Sequence, residues 1–233
     1  MKEERWNIAQ KYEKNWWNSK REGISITFYK NFAKDLKDIL TGILEIKKDT
    51  SILEIGSGAS GTITFIDSEN KYAIDPLEYY YSTVKEFTKD RDPRVHYFTA
   101  KGEALPFDSE MFDLIIIDNV LDHCSDPEKV IFEMKRVLKS AGVIYFRQNT
   151  YHYWGVFVRF IMEKIIFDKG HPFTFSKTHL KKLFNRFNFT IVRFSHNGYI
   201  ETWKKEFLSF KPKELAKAFL FATRDKTVYL LKK

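Results

Sequence analysis

The sequence predicts an α/β protein with a doubly wound, mostly parallel sheet, and three observations support this fold class. Strand-like and helix-like segments alternate from residue 51 to residue 150, which is typical of parallel sheets covered by helices. Residues 112–117, FDLIII, form the apolar run expected of a strand that is buried on both faces. A glycine-rich turn, Gly56-x-Gly58-x-x-Gly61, directly follows the first strand-like segment.

The individual elements follow from spacing and capping signals. Apolar residues recur at three- and four-residue steps between residues 27 and 44, which predicts an amphipathic helix. Residues 126–142 have Asp126 as N-cap, Pro127 in the first turn and Gly142 at the exit, which predicts another helix. Further helices are predicted over residues 78–87 and 176–187, and strands over residues 51–55, 71–74, 94–100, 112–117, 143–148, 189–195 and 226–232.

The composition indicates a globular chain of 233 residues, of which 43% are apolar, enough for one sizeable core. Cys124 is the only cysteine, so an internal disulfide is impossible, which fits a reducing compartment. The N-terminus has no apolar signal segment, and no window approaches the roughly 18 apolar residues of a membrane span. We therefore expect a cytoplasmic protein.

Charge is distributed unevenly along the chain. Residues 1–150 carry a net charge of −3, whereas residues 151–233 contain 17 Lys and Arg against 6 Asp and Glu, a net charge of +11. This asymmetry indicates either a negatively charged partner for the last third of the chain or a lysine-rich surface that faces solvent.

Two carboxylates near the glycine turn bear on its ligand. Glu54 lies two residues before Gly56, where dinucleotide-binding turns normally have an apolar side chain, and a carboxylate there suits a ligand that carries a cation. Asp75 ends the next strand, 19 positions after Gly56, where an acid can accept both ribose hydroxyls. Nicotinamide and adenosyl-donor sites share an acid like Asp75, so Glu54 is the residue that discriminates between them.

Five segments, in order LEIGSGASG, YAIDP, GEALPF, FDLIIIDNVLDH and FEMKRVLKSAG, resemble the successive motifs of class I S-adenosylmethionine-dependent methyltransferases. The resemblance is to the small-molecule branch and covers about residues 45–195. It implies a Rossmann-like, seven-stranded, mostly parallel sheet with an antiparallel last strand and helices on both faces. It also implies S-adenosylmethionine as the cofactor.

The same resemblance implies the cofactor-binding residues. The methionine end would lie beside Glu54, Gly56, Ser57 and Gly58, the ribose beside Asp75 and Pro76, the adenine beside Gly102 and Glu103, and Asn119 would lie under the methionine part. Lys101 stands where many relatives have an acid that binds the adenine amino group, which favours backbone atoms as the partners of the adenine.

His123 is the candidate catalytic residue, because the resemblance places it facing the transferred methyl group. It could act as a general base for an acceptor of high pKa, or it could only shape the pocket. His152 and His171 lie in the segment expected to face the acceptor and are secondary candidates. No Cys, His or Asp grouping has the spacing of metal ligands along the chain, so no metal is predicted.

We expect a single domain, residues 1–233, with two segments that select the acceptor. Residues 1–44 would form a helical lid, with Tyr12 or Trp17 over the cofactor, on a cofactor-binding core of residues 45–150. Residues 151–188 would form a helical insert on the acceptor side, followed by C-terminal strands and a basic segment over residues 189–233. Residues 153–167 are apolar around most of the predicted helix, which fits core packing, a homodimer interface, an apolar acceptor or peripheral membrane contact.

The sequence therefore predicts methyl transfer to an O or N atom of a small-molecule acceptor, with an apolar part and a negative group, by a monomer or homodimer. An RNA methyltransferase and a non-catalytic S-adenosylmethionine-binding protein remain alternatives. Nucleic acid is the less favoured partner because the aromatic residues cluster with apolar rather than basic ones. A nicotinamide enzyme is disfavoured by Glu54.

Overall fold

The computed structural model describes residues 2–23, 25–165 and 171–233. The strands are β1 (Ser51–Ile55), β2 (Asn70–Asp75), β3 (Val95–Thr99), β4 (Phe112–Asp118), β5 (Leu138–Tyr151), β6 (Thr190–His196) and β7 (Arg224–Lys232). The helices are α1 (Lys2–Ser19), α2 (Ile26–Leu40), α3 (Glu78–Tyr81), α4 (Lys85–Thr88), α5 (Pro127–Val137), α6 (Tyr153–Ile165), α7 (Lys177–Arg186), α8 (Tyr199–Leu208) and α9 (Pro212–Phe219). Short 3-10 turns lie at Thr62–Phe65 and Leu121–His123.

The described strands form one seven-stranded sheet with the order β3-β2-β1-β4-β5-β7-β6. The pairs from β3 to β5 are parallel, and β7 runs antiparallel to both β5 and β6. The predicted doubly wound, mostly parallel sheet with a late antiparallel strand is confirmed. Because the strand order reverses beside β1, the carboxyl ends of β1, β2 and β4 open onto one crevice, the usual ligand position in such sheets.

Helices cover both faces of the sheet, and β4 shows how alternate residues divide between them. Leu114 and Ile116 point to the face covered by α2, where they pack with Leu36. Ile115 and Ile117 point to the opposite face, which α5 and α7 cover. A strand buried on both faces needs an uninterrupted apolar run, which is why this segment is so clear in the sequence.

The junction between α5 and β5 differs from the prediction. Asp126 caps α5 as expected, because its side chain accepts a hydrogen bond from the Lys129 N–H, but the helix ends at Val137. Leu138 is extended and starts β5, so Gly142 lies inside the strand rather than at the exit of the helix. Leu138 is fully buried, and an apolar residue at this place satisfies a helix pattern and a strand pattern equally well.

Two further differences concern helices. Residues 78–87, predicted as one helix, form α3 and α4 with the extended residue Val84 between them. Residues 199–219, where the sequence showed only a basic segment, form α8 and α9. Ser176 caps α7 as predicted, since its Oγ accepts from the His179 N–H. The helices of the described ranges are all too short or too polar to span a bilayer.

The packing of α2 against the sheet gives a stability prediction. Replacing the fully buried Leu36 by Ala should reduce the free energy of unfolding by about 2–5 kcal/mol, because it opens a cavity between α2 and β4. Urea denaturation checks this. The neighbouring exposed variant Lys37→Ala should change stability by less than about 0.5 kcal/mol, and equal losses in the two variants would contradict this packing.

Candidate functional site

The glycine turn after β1 forms the floor of the candidate site. Gly56 and Gly58 have φ angles of 70° and 59°, in the left-handed region that favours glycine. A Cβ atom on Gly56 would collide with Val120, and one on Gly58 would lie 2.5 Å from the Trp17 indole. Because neither glycine has a side chain, Val120 can pack directly against Gly56, and Trp17 can pack directly against Gly58.

Glu54 is a buried carboxylate that stabilises the chain just beyond this turn. Its two oxygens accept hydrogen bonds from the backbone N–H groups of Thr62 (3.1 Å) and Ile63 (2.8 Å), at the start of the 3-10 turn. Desolvation by burial is the largest influence and raises the pKa of Glu54 to about 7. The carboxylate also lines the cavity described below, so its charge acts on any ligand there.

Asp75 holds the other side of the glycine turn. One carboxylate oxygen accepts from the Gly58 N–H (3.0 Å) and the other from the Leu77 N–H (2.9 Å). Desolvation again dominates and raises the pKa of Asp75 to about 7. Each oxygen keeps a second lone pair, so this side chain can also accept hydrogen bonds from a pair of ligand hydroxyls.

A cavity of 440 Å³ opens at the carboxyl ends of β1, β2 and β4. All ten residues that the sequence indicated line it: Glu54, Gly56, Ser57, Gly58, Asp75, Pro76, Gly102, Glu103, Asn119 and His123. Its volume is within the range of small-molecule sites. Parallel strands bring their carboxyl ends to one edge of the sheet, which is how residues up to 69 positions apart share a single cavity.

The side chain of Glu103 is hydrogen-bonded to the loop before α5. Its Oε1 accepts hydrogen bonds from the N–H and Oγ of Ser125 (2.6 and 2.8 Å) and from the Asp126 N–H (3.2 Å). The side chain therefore braces the loop before α5. Gly102 is buried, and a Cβ there would lie 3.3 Å from both Ile55 and Val130, so its backbone rather than a side chain faces the cavity.

The end of β4 adds two residues to the site. Asn119 has a φ of 54°, and its side-chain oxygen accepts from the Asn149 N–H (3.1 Å), which holds the strained backbone. Asp118 lines the cavity and is paired with Arg147 of β5. The sequence reasoning missed Asp118, although its place at the carboxyl end of a buried parallel strand was a usable signal.

Helix α1 forms one wall of the cavity. Trp17 is buried against Gly58, its ring contacts Tyr81 and Phe87, and its Nε1 donates to the Glu13 carboxylate (3.1 Å). Tyr12 also lines the cavity but is more exposed. Both residues proposed as lid contacts therefore lie at the cavity.

A cluster of one carboxylate and two imidazoles lies at another part of the same cavity. His123 Nε2 is 3.9 Å from Asp122 Oδ1, and His171 Nε2 is 3.9 Å from Asp122 Oδ2. The imidazole centroids are 4.6 Å apart. Spacing along the chain could not reveal this group, because His171 comes from a separate segment. His152 is not among the residues that line the cavity.

The sheet order and the cavity at its carboxyl edge define a Rossmann-like α/β domain with a ligand site at the strand crossover. Residues 53–146 match the family model described as "Methyltransferase domain". The match spans most of the parallel strands, including the glycine turn, Glu54 and Asp75, so this part of the chain is similar to a methyltransferase domain.

Two curated proteins are similar to parts of this chain. An uncharacterized protein of Methanocaldococcus jannaschii is 46% identical over 26% of this chain and 30% of its own length. Malonyl-[acyl-carrier protein] O-methyltransferase of Salmonella typhimurium is 28% identical over 47% of this chain and 43% of its own. The chain thus spans less than half the length of these curated relatives.

A solved structure supports the fold. Geranyl diphosphate C-methyltransferase from Streptomyces coelicolor, solved in complex with Mg²⁺, geranyl diphosphate and S-adenosyl-L-homocysteine, superposes with a TM-score of 0.64. The match covers 87% of this chain and 78% of that one at 12% identity, so it shows a shared architecture.

The two buried carboxyl groups predict a pH dependence of stability. Folding raises the pKa of Glu54 and Asp75 to about 7, so the folded state binds more protons than the unfolded state between about pH 4 and 7. The free energy of unfolding should therefore fall as pH rises through this window. In the variant Asp75→Asn, the free energy of unfolding should fall by about 2 kcal/mol less between pH 5 and pH 8 than it does in the wild type, because one of the two titrating carboxyl groups is absent.

Urea denaturation of the ligand-free protein at constant ionic strength measures both curves. Curves for the wild type and Asp75→Asn that stay parallel from pH 5 to 8 would contradict the raised pKa.

Proposed function

We propose that this protein binds S-adenosylmethionine in the cavity at the carboxyl edge of the sheet and transfers its methyl group to an O or N atom of a small-molecule acceptor. The observation that carries the proposal is the convergence of all ten indicated residues on one cavity that contains the buried carboxylates Glu54 and Asp75. The name of the Salmonella relative, an O-methyltransferase, supports oxygen as an acceptor atom.

The residues of the cavity suit this donor. Asp75 can accept the ribose hydroxyls, and Gly56 and Gly58 let Val120 and Trp17, which also line the cavity, pack directly against the turn. The charge of Asp118 is balanced by its ion pair with Arg147, so Glu54 is the carboxylate that would attract a sulfonium or ammonium group, and such a ligand would favour the ionised form of Glu54. When bound, S-adenosylmethionine supplies an activated methyl group on sulfur.

The protein contributes orientation and exclusion of water. Trp17 and the α1 wall would cover the donor, and holding the two reactants in line can contribute about 7–11 kcal/mol to the lowering of the barrier. His123 is the proposed catalytic residue on the acceptor side, since it lines the cavity and its side chain is partly exposed to it. An imidazole there can take a proton from the acceptor or bind through its lone pair.

Donor binding tests the first half of the proposal. Asp75→Asn should weaken S-adenosylhomocysteine binding about tenfold, because an amide replaces one hydrogen-bond-accepting oxygen at a cost near 1.4 kcal/mol. Isothermal titration calorimetry measures the affinity. The exposed variant Asp90→Asn carries the same charge change and should bind like the wild type. A wild-type protein that binds NADH and ignores S-adenosylhomocysteine would refute the proposal.

The C-terminal helices expose many large apolar side chains, and this exposure bears on the kind of acceptor that the protein meets. Many large apolar side chains of α6, α8, α9 and their connections are exposed: Tyr153, Trp154, Phe157, Phe160, Ile161, Ile200, Phe207, Leu208, Phe210, Phe219, Leu220 and Phe221. We call these residues the C-terminal apolar surface. Phe210 and Phe219 are 81% and 68% exposed, which is unusual for phenylalanine in a protein surrounded by water alone.

Contacts between the helices make this surface continuous. Trp154 Nε1 of α6 donates to the Leu220 carbonyl (3.0 Å), just beyond α9. Between α8 and α9, the Phe207 and Phe219 rings lie 5.8 Å apart. Trp203 of α8 also stacks on Phe221. Apolar groups from three helices are therefore presented together.

We propose that the C-terminal apolar surface contacts an anionic membrane, and that the acceptor has an apolar part and a negative group. The surface belongs to the segment of charge +11, with exposed lysines such as Lys204, Lys205 and Lys211. Apolar insertion and lysine attraction together are the signature of peripheral binding to anionic lipids. A homodimer formed through this surface would bring two strongly basic surfaces together, so charge favours an anionic membrane over a second copy of the chain. A cytoplasmic protein would meet anionic lipids at the inner leaflet.

Vesicle sedimentation tests the membrane contact. The wild type should bind vesicles containing an anionic phospholipid and release them as salt is raised. Phe219→Ser should weaken binding about tenfold, from the loss of roughly 1.5 kcal/mol of apolar burial. Phe132→Ser on α5, 57% exposed and outside the surface, is the matched control. No binding to anionic vesicles, or a dimer that Phe219→Ser dissociates in analytical ultracentrifugation, would overturn the proposal.

A further inference from the structure

Asp122 is a buried carboxylate placed between two imidazoles. Its side chain is 9% exposed, and its Oδ1 has no hydrogen-bond partner among the described residues. The Nε2 atoms of His123 and His171 each lie 3.9 Å from a different oxygen of Asp122. These separations are too long for hydrogen bonds. A cation between the carboxylate and the two imidazoles would give the buried Oδ1 atom the partner that it lacks among the described residues.

Two anchored segments hold the three side chains together. Asp122 and His123 lie in the 3-10 turn Leu121–His123, directly after β4, with Leu121 fully buried beneath them. His171 precedes a stretch that runs beside this turn, because the Phe173 N–H donates to the Asp122 carbonyl (3.3 Å). A backbone contact between the two segments therefore keeps the three side chains close together.

We propose that Asp122, His123 and His171 bind a divalent transition-metal ion of the Zn²⁺ type. One donor atom from each residue lies within 4.8 Å of the other two. Two imidazoles and one carboxylate form a donor set that zinc prefers. Two ligand atoms of a tetrahedral zinc ion lie roughly 3.3 Å apart, as its bond lengths of about 2.0–2.1 Å require, so small side-chain rotations would close the cluster around the ion.

Within the described ranges, the neighbouring side chains that could bind a metal are already engaged elsewhere. Cys124 lies close by, but its thiol donates to the Val120 carbonyl (3.3 Å), so its sulfur faces the backbone. The Glu103 carboxylate is held by Ser125 and the Asp126 N–H. Three protein ligands leave at least one coordination position for a water or a substrate oxygen, which is the pattern of catalytic rather than structural zinc.

The open position would face the cavity, because His123 and His171 both line it. An ion there would bind a hydroxyl or anionic oxygen of the acceptor and orient it, and it would lower the pKa of a bound hydroxyl. This role rests on the proposed methyl transfer, whereas the metal site itself does not. His123 would then act as a metal ligand instead of a free base.

Metal titration of the purified full chain tests the site. After dialysis against a chelator and then metal-free buffer, Co²⁺ should bind with one equivalent and give visible absorption bands that Zn²⁺ removes. Asp122→Asn and His171→Ala should each weaken Co²⁺ affinity at least tenfold. His152→Ala removes a nearby exposed histidine that does not line the cavity and should bind Co²⁺ like the wild type.

Circular dichroism and S-adenosylhomocysteine affinity, both expected to be unchanged in Asp122→Asn and His171→Ala, show that these variants are folded. Failure of the wild type to bind the donor would refute the proposed function and leave the Co²⁺ result valid. Absence of stoichiometric Co²⁺ in the wild type, or equal affinity in all three variants, would overturn the metal site.

Discussion

The structure depends on two buried carboxylates that accept backbone N–H groups around one glycine turn. Glu54 bonds the start of the following 3-10 turn, and Asp75 bonds Gly58 from the neighbouring strand. Without them, N–H groups in a tight, buried turn would lack partners, a cost that folded proteins avoid. The same two side chains place negative charge at the crevice between β1, β2 and β4. The side chains that shape the turn by their hydrogen bonds are therefore the same ones that would attract a cationic ligand to the cavity.

Charge divides the protein into an acidic and a basic region. The cavity floor is acidic, with Glu54, Asp75 and Asp118 among its lining residues, while the segment from residue 151 onward is strongly basic. The two regions meet in the cavity, where Arg224 and His171 come from the basic segment. A cationic donor bound on the acidic side and an anionic acceptor delivered on the basic side would each meet complementary charge, and the boundary between them is where transfer would occur.

The sequence predicted the strands well because burial on both faces of a parallel sheet demands apolar runs, as in Phe112–Asp118. It also indicated ten residues that share one cavity, because the carboxyl ends of parallel strands converge. It failed at Leu138, where an apolar residue fits helix and strand alike, and at α8 and α9, where the lysines drew attention to charge although Pro212 in the first turn of α9 was a usable helix signal. The approach of His171 to Asp122 depends on the path of the chain between distant segments, which no local periodicity encodes.

Asp122 would influence both the donor and the metal ion if the two proposals hold together. A sulfonium donor and a divalent ion in one cavity would repel each other, and this repulsion is strong in a low-dielectric interior. The carboxylate of Asp122, which lies beside both imidazoles, would offset part of this repulsion, whereas Asp118 is already paired with Arg147. Transfer would carry the positive charge with the methyl group from sulfur to the acceptor atom, and loss of the acceptor's proton to a base or to water would then remove that charge and its repulsion from the cavity. A site with this arrangement would hold the methylated product and the demethylated donor under less electrostatic strain than the reactants, which favours the forward reaction.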